Sequence, residues 1–314
     1  MCREWHRTIV AVSVLFLTAA CGGGLQPAPT PTPAPPTPAP VTPIVVEPTA
    51  ERWTMPAAIP STKYLNEVST TLERDSAGRV LTEHVMMRGV ITLQGRRDTL
   101  GAFRGSGSVD SFTVRGLEGA AAVRQDETVS STTVPVLVPP ALTVMFDALL
   151  DRRILRVAVR PSLPNECDRQ ETGATSLVRD LIVRLPRTLT VGATWRDSTV
   201  SFLCRLSVPI TTRSNSVFII ERADNVQGGR VELVLRKTSD IQMAGELRST
   251  WRVLTVNAFG RSSQIIRVDA ASGVVRSTDS DGLLTVKLND TSRRDGQGTQ
   301  EVRQITKGRV TFVQ

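Results

Sequence analysis

Residues 230–236 read Arg-Val-Glu-Leu-Val-Leu-Arg, and their alternation decides the fold class. In an extended chain successive side chains point to opposite faces, so Val231, Leu233 and Leu235 fall on one side while Arg230, Glu232 and Arg236 fall on the other. Leu284, Val286 and Leu288 repeat the pattern. Working outward, the branched apolar and threonine-rich runs are punctuated by turn formers: Asp75-Ser76-Ala77-Gly78, Asp151-Arg152-Arg153, Gln227-Gly228-Gly229, Asp269 to Gly273, Asp279 to Gly282 and Asp295 to Gly298. The likeness of residues 75–80 to 269–274 reads as one hairpin solution used twice. This predicts a mainly β protein of antiparallel hairpins, folded as a sandwich or an open half-barrel.

One segment breaks the period of two. Ala174, Leu177, Val178, Leu181 and Leu185 follow helical spacing, Asp168 and Glu171 suit a capped start, and Pro186 stops the run. The expectation is one amphipathic helix over about 168–185, covering a face or end of a curved sheet. The folded region then spans 61–314, either as one domain or as two related halves, 61–160 and 197–314, joined by the helix. Cys167 and Cys204 are expected to pair in a disulfide tying the helix start to the strand at 200–204, where parity groups Cys204 with Val200 and Phe202 as inward residues.

The N-terminal region reads differently. Arg3 and Arg7 precede the uncharged apolar run 8–18, which has the length of a secretory signal and is shorter than the roughly 20 apolar residues a membrane span needs. Leu17-Thr18-Ala19-Ala20-Cys21 resembles the lipobox of bacterial lipoproteins, with Thr18 where leucine is usual. The resemblance implies that residues 1–20 are removed and that Cys21 becomes an acylated first residue. Gly22 in place of aspartate then implies residence in the outer membrane. Residues 21–60 follow as a tether. Its alternating Pro, Ala and Thr favour polyproline II and supply few amide donors, so 22–43 can reach roughly 70 Å.

Composition excludes several activities. The chain has 314 residues, a formal net charge of +8 and two histidines, His6 and His84, the first within the signal. A single remaining histidine leaves no two-His metal site, and no nucleophile elbow, zinc-protease motif, phosphate loop or dinucleotide fingerprint is present. The arginines are scattered singly and in short pairs, which speaks for a solvated surface and against nucleic acid. His84 shares its parity with Thr82, Arg88 and Thr92 and is expected in solvent. Glu83 points to the apolar side with Val85 and Met87, which fits a strand end, an edge or a partner arginine, and otherwise a buried acid. Trp195, Trp251 and Tyr64 read as core anchors, and Asp279-Ser280-Asp281-Gly282 as a turn, since Leu288 occupies the position a calcium loop gives to glutamate.

The expected function is therefore a non-enzymatic module, held at the outer membrane through Cys21 and facing the periplasm, that binds an envelope protein or an apolar ligand. Two other readings stand beside it. One is a lipid or lipoprotein carrier with an apolar cavity between the strands and the helix. The other is a hydrolase using carboxylates, for which Asp147, Asp151 and Glu83 are the candidates. No catalytic residue is assigned, and no cofactor, metal or nucleic-acid partner is expected.

Overall fold

The computed structural model describes residues 51–76, 79–99, 102–118, 134–137, 144–160, 167, 169–205, 207–250, 252–291 and 298–313. The signal, Cys21, most of the tether, Trp251 and parts of the turns at 77–78 and 295–297 lie outside them. The chain runs through β1 (Arg52–Thr54), β2 (Ala58–Ser76), β3 (Arg79–Arg97), β4 (Phe103–Glu118), β5 (Val134–Leu137), β6 (Val144–Asp151) and β7 (Ile154–Arg160). There follow α1 (Arg169–Val178), β8 (Thr188–Thr190), β9 (Thr194–Arg205), β10 (Val208–Val226), β11 (Arg230–Ser249), β12 (Arg252–Asp269), β13 (Val275–Asp290) and β14 (Thr299–Val313).

The protein is mainly β with one short helix, and its sheet is neither a sandwich nor a half-barrel. The order β3-β2-β14-β13-β12-β11-β10-β9-β7-β6-β4 returns to its start because β4 also pairs with β3, from Glu83↔Glu118 to Arg97↔Phe103, closing an 11-strand barrel. Closure removes both edges, which an open sheet of such long strands would leave as unpaired amides. Strands from 58–118 and from 194–313 belong to this one sheet, joined where β14 pairs with β2. Every neighbour pair is antiparallel except β7 and β9, which run parallel and share only Ile154↔Val200 and Leu155↔Ser201.

Short-range chemistry sets the turns. Val226 and Arg230 pair across Gln227-Gly228-Gly229, where Gly228 and Gly229 hold φ of 86° and 71°, values that cost glycine nothing. Asp151 and Ile154 pair across Arg152-Arg153. Asp269 organises the β12–β13 turn: its Oδ1 accepts from the Ala271 and Ser272 amides at 3.1 and 2.8 Å and from the Ser272 hydroxyl at 2.8 Å, while Oδ2 pairs with Arg276 at 3.1 Å. The expected turn at Asp279 to Gly282 is absent. Those residues run straight through β13, opposite 262–265 of β12, because Ser280 and Gly282 continue the inward parity of Leu284 and Val286.

The Asp269 turn carries a pH prediction. Burial pushes this carboxyl up, yet hydrogen bonds from Ser272 and the Arg276 guanidinium outweigh it and hold the group below the usual carboxylate range. A carboxyl depressed by folding stabilises the protein above its unfolded value of about 3.9 and loses that contribution as pH falls. Asp269→Asn should therefore cost about 1–3 kcal/mol at pH 7 in urea unfolding, and the gap to wild type should narrow below about pH 4. A gap that stayed constant with pH would contradict the charge-based account.

Alternation builds the wall. Along β12 the buried Leu254, Val256, Ala258, Ser262, Gln264, Ile266 and Val268 alternate with outward residues such as Asn257, Phe259 and Arg261. The outer wall carries cross-strand ion pairs, including Arg261–Asp240 at 3.1 Å, Arg309–Asp279 at 2.8 Å, Lys287–Glu301 at 3.3 Å and Arg303–Glu73 at 3.0 Å. The Arg261–Asp240 and Arg309–Asp279 pairs lie well inside their strands, where a barrel immersed in lipid would need an apolar band.

A barrel of this many strands is too wide for wall side chains alone to fill. α1 occupies the interior, and this departs from the expected helix over 168–185 in both length and placement. The helix ends at Val178, and Leu181, Ile182, Val183 and Leu185 continue as buried, non-helical chain. Residues 172–178 are buried on every side rather than on one face. Two of the polar ones tolerate this because they are hydrogen-bonded: Ser176 donates to the Thr172 carbonyl at 2.9 Å, and the Cys204 amide donates to the Thr172 hydroxyl at 3.0 Å. Across the interior the Asn66 amide group approaches the Leu177 carbonyl at 3.5 Å. Gly89 of β3 gives Leu177 its seat, since a Cβ there would lie 2.9 Å from a Leu177 methyl.

Cys167 and Cys204 form a disulfide with Cα atoms 5.3 Å apart, pinning the chain just before α1 to the end of β9. The inward parity of β9 is the reverse of the expected one. Ser201 and Leu203 are buried and Phe202 is exposed, because the register with β10 sets Leu203 beside the inward Ile210. Cys204 therefore lies on the outer parity, where the chain before α1 meets the wall.

Candidate functional site

The barrel interior is layered. One apolar cluster surrounds α1 and includes Ile91, Phe146, Leu155, Leu177, Leu233 and Ile266; a second, with Leu72, Ile210, Met243, Leu254 and Leu284, fills the end bearing the β2–β3 hairpin. Between them runs a belt of inward polar side chains: Thr70, Thr212, Ser216, Ser239, Ser262, Gln264, Thr278, Ser280, Gln304 and Thr306. Parts of the belt bond to one another, as Ser216 to Ser239 at 2.8 Å, Thr70 to Thr306 at 3.4 Å and Gln304 to Thr306 at 3.3 Å.

Where this belt meets the chain leaving α1, it opens into a chamber of about 40 Å³. At about 10–15 Å³ per water, that is room for roughly three. Arg179, Asp180 and Arg184 enter it from the segment after α1, Asp197 from β9, Thr212 and Ser216 from β10, Lys237 from β11 and Gln264 from β12. Gln264 donates to Asp180 at 2.9 Å, and Arg184 pairs with Asp197 at 3.4 Å. Lys237 stands 5.8 Å from the ring centre of Phe218, which is stacked on Trp195 at 4.9 Å. Trp195 and Tyr64 are thus packed inside, as expected of core anchors.

The charges press on one another. Burial alone would raise the Asp180 carboxyl, but Arg179, Lys237 and the Gln264 hydrogen bond hold it below the ordinary range. Burial dominates at Asp197 and pushes its carboxyl up, against the pull of Arg184 and the Ser198 amide. At Lys237 burial lowers the ammonium, resisted by Asp180 and Asp197.

No protein-family model matches the chain, and no curated protein matches it in sequence. Its functional reading rests on the chemistry of the barrel itself.

The carboxylates named from sequence are not brought together. Asp147 lies on the outer wall paired with Arg160, Asp151 is exposed at the end of β6, and Glu83 points inward near the opposite end, 3.0 Å from Arg74. Measured along β4, Ser106 stands opposite Asp147 and Glu118 opposite Glu83, a separation on the order of 40 Å at about 3.3 Å per residue. Paired glycosidase carboxylates work at about 5–9.5 Å. His84 is exposed, with its Nδ1 3.0 Å from the Thr71 hydroxyl. Among the described residues no three His, Cys, Asp or Glu side chains converge as a metal site.

The chamber residues Arg179, Asp180 and Lys237 were not singled out by sequence reading. Lys237 was within reach: continuing the parity of Val231, Leu233 and Leu235 by one step puts a lysine inside. Asp180 carried no such signal, since its placement depends on where the helix ends.

Proposed function

We propose that the chain is an outer-membrane-anchored periplasmic lipoprotein whose barrel is a non-enzymatic partner-binding module. The observation that carries this reading is where the chain joins the barrel. β1 pairs with β8, and the flanking Met55 amide bonds the Arg187 carbonyl and the Arg97 amide the Ala57 carbonyl, all at the end where β2 starts and β3 finishes. A tether acylated at Cys21 would present that end to the membrane and the β2–β3 hairpin away from it. β2 has 19 residues, so the two ends stand about 60 Å apart along a strand, less the tilt. The charged outer wall suits an aqueous compartment. A chamber that is small and lined by charges favours recognition at the barrel surface over carriage of a lipid, and the separated carboxylates favour binding over hydrolysis.

The test is fractionation with cross-linking. Wild type should sediment with outer membrane and Cys21→Ala should appear in the soluble fraction. A photo-crosslinker at Val80, exposed beside the β2–β3 turn, should capture an envelope protein only in the anchored form. Membrane retention of Cys21→Ala would overturn the anchor, and the absence of any adduct would overturn partner binding at that end.

A further inference from the structure

The chamber holds three cationic side chains, Arg179, Arg184 and Lys237, against two carboxylates, Asp180 and Asp197. That is one positive charge in excess, inside a barrel where unbalanced charge is costly. Both carboxylates are already engaged, Asp180 by Gln264 and, at 3.9 Å, by Arg179 Nε, and Asp197 by Arg184 and the Ser198 amide at 2.9 Å. Lys237 has no carboxylate within 4.0 Å among the described residues, and its ammonium lies over the face of Phe218. Arg179 Nη1, Arg184 Nε and the Thr212 hydroxyl are buried without a hydrogen-bond partner, and Thr212 is only 2% exposed.

Unsatisfied buried donors and a surplus positive charge around one void define the complement of an anion. Volume sets its size: about 40 Å³ admits a halide and excludes a nucleotide or a lipid headgroup. We propose that the chamber is a binding site for a small monovalent anion of the size of chloride or bromide, held between Lys237, Arg179 and the Thr212 hydroxyl. Its occupant would clamp the segment leaving α1 to β10 and β11, so binding would be read as stability of the plugged barrel. Loss of the Lys237 proton is the competing way to relieve the charge; burial and the neighbouring Arg179 favour it, and Asp180 and Asp197 oppose it. The site stands apart from the anchor at Cys21, and its failure would leave the proposed function untouched.

The experiment uses the full-length chain. At constant ionic strength, sodium gluconate is replaced by sodium chloride, so that general screening stays equal. The melting temperature should rise saturably, by about 3 °C at tenfold excess over the dissociation constant. Lys237→Met should abolish the rise, while Lys287→Met, on the outer wall, should retain it. Crystals grown in sodium bromide should show an anomalous peak within hydrogen-bond distance of Lys237 Nζ, a readout that needs no variant to fold. Equal melting in both salts, or bromide found only on surface arginines with water in the chamber, would overturn the site.

Discussion

Leu177→Ala should lower the unfolding free energy by about 3–5 kcal/mol, the upper part of the range for buried leucines. Leu177 is fully buried, and its methyls fill the space beside Gly89 of the wall, 2.9 and 3.0 Å from where a Cβ on that residue would lie. A site recovers part of such a loss by collapsing around the gap, but here one side of the gap is a strand hydrogen-bonded to both neighbours, β2 and β4. The cavity should persist. Urea unfolding followed by circular dichroism measures the loss, and a value under 1 kcal/mol would mean that α1 is not what fills the barrel. Gly89→Ala in the Leu177→Ala background should recover part of the loss, because the added methyl enters the vacated space; in the wild-type background it should destabilise. That change of sign is the signature of direct contact.

Removing the Cys167–Cys204 bridge should cost about 4 kcal/mol. The cross-link spans 37 residues, and restricting a loop of that length in the unfolded chain accounts for about this much on the chain-entropy model. The bridged loop contains α1, β8 and all but the last residue of β9, so reduction frees the plug and the strand at the parallel seam together. The double variant Cys167→Ser/Cys204→Ser, compared with wild type in urea with and without reductant, isolates the contribution. Wild type in reductant should match the variant, and an unfolding midpoint insensitive to reductant would refute the account.

Much of the wall was legible from alternation. Val231, Leu233, Leu235, Leu284, Val286 and Leu288 face inward, His84 outward and Glu83 inward, because a period of two is a local property of an extended chain; that Glu83 meets Arg74 is one of several settings its parity left open. Closure was not legible, since the β3–β4 pairing depends on register summed over every strand. The polar belt explains why. Ser262, Gln264, Thr278 and Ser280 occupy inward positions, so apolar periodicity fades in mid-strand and Asp279 to Gly282 imitates a turn. The helix misled for a related reason: its polar residues suggested a solvated face, whereas Thr172 and Ser176 find partners within the protein. The chamber was the least legible part, because it is assembled from the segment after α1 and six separate strands.

The pairing of β14 with β2 sets the order of events as the chain folds. Lys63 and Val313 are neighbours in space across a span of 250 residues, whereas the hairpins from β9 to β14 form between adjacent segments. Closing so long a loop carries a large entropic penalty before any contact repays it, so the ring should be sealed late and slowly. Until residues 299–313 arrive, β2 and β13 each present an open edge to any passing strand. The barrel cannot shut until β14 is in place, and the interval before that is when it is most exposed to aggregation and to chaperones.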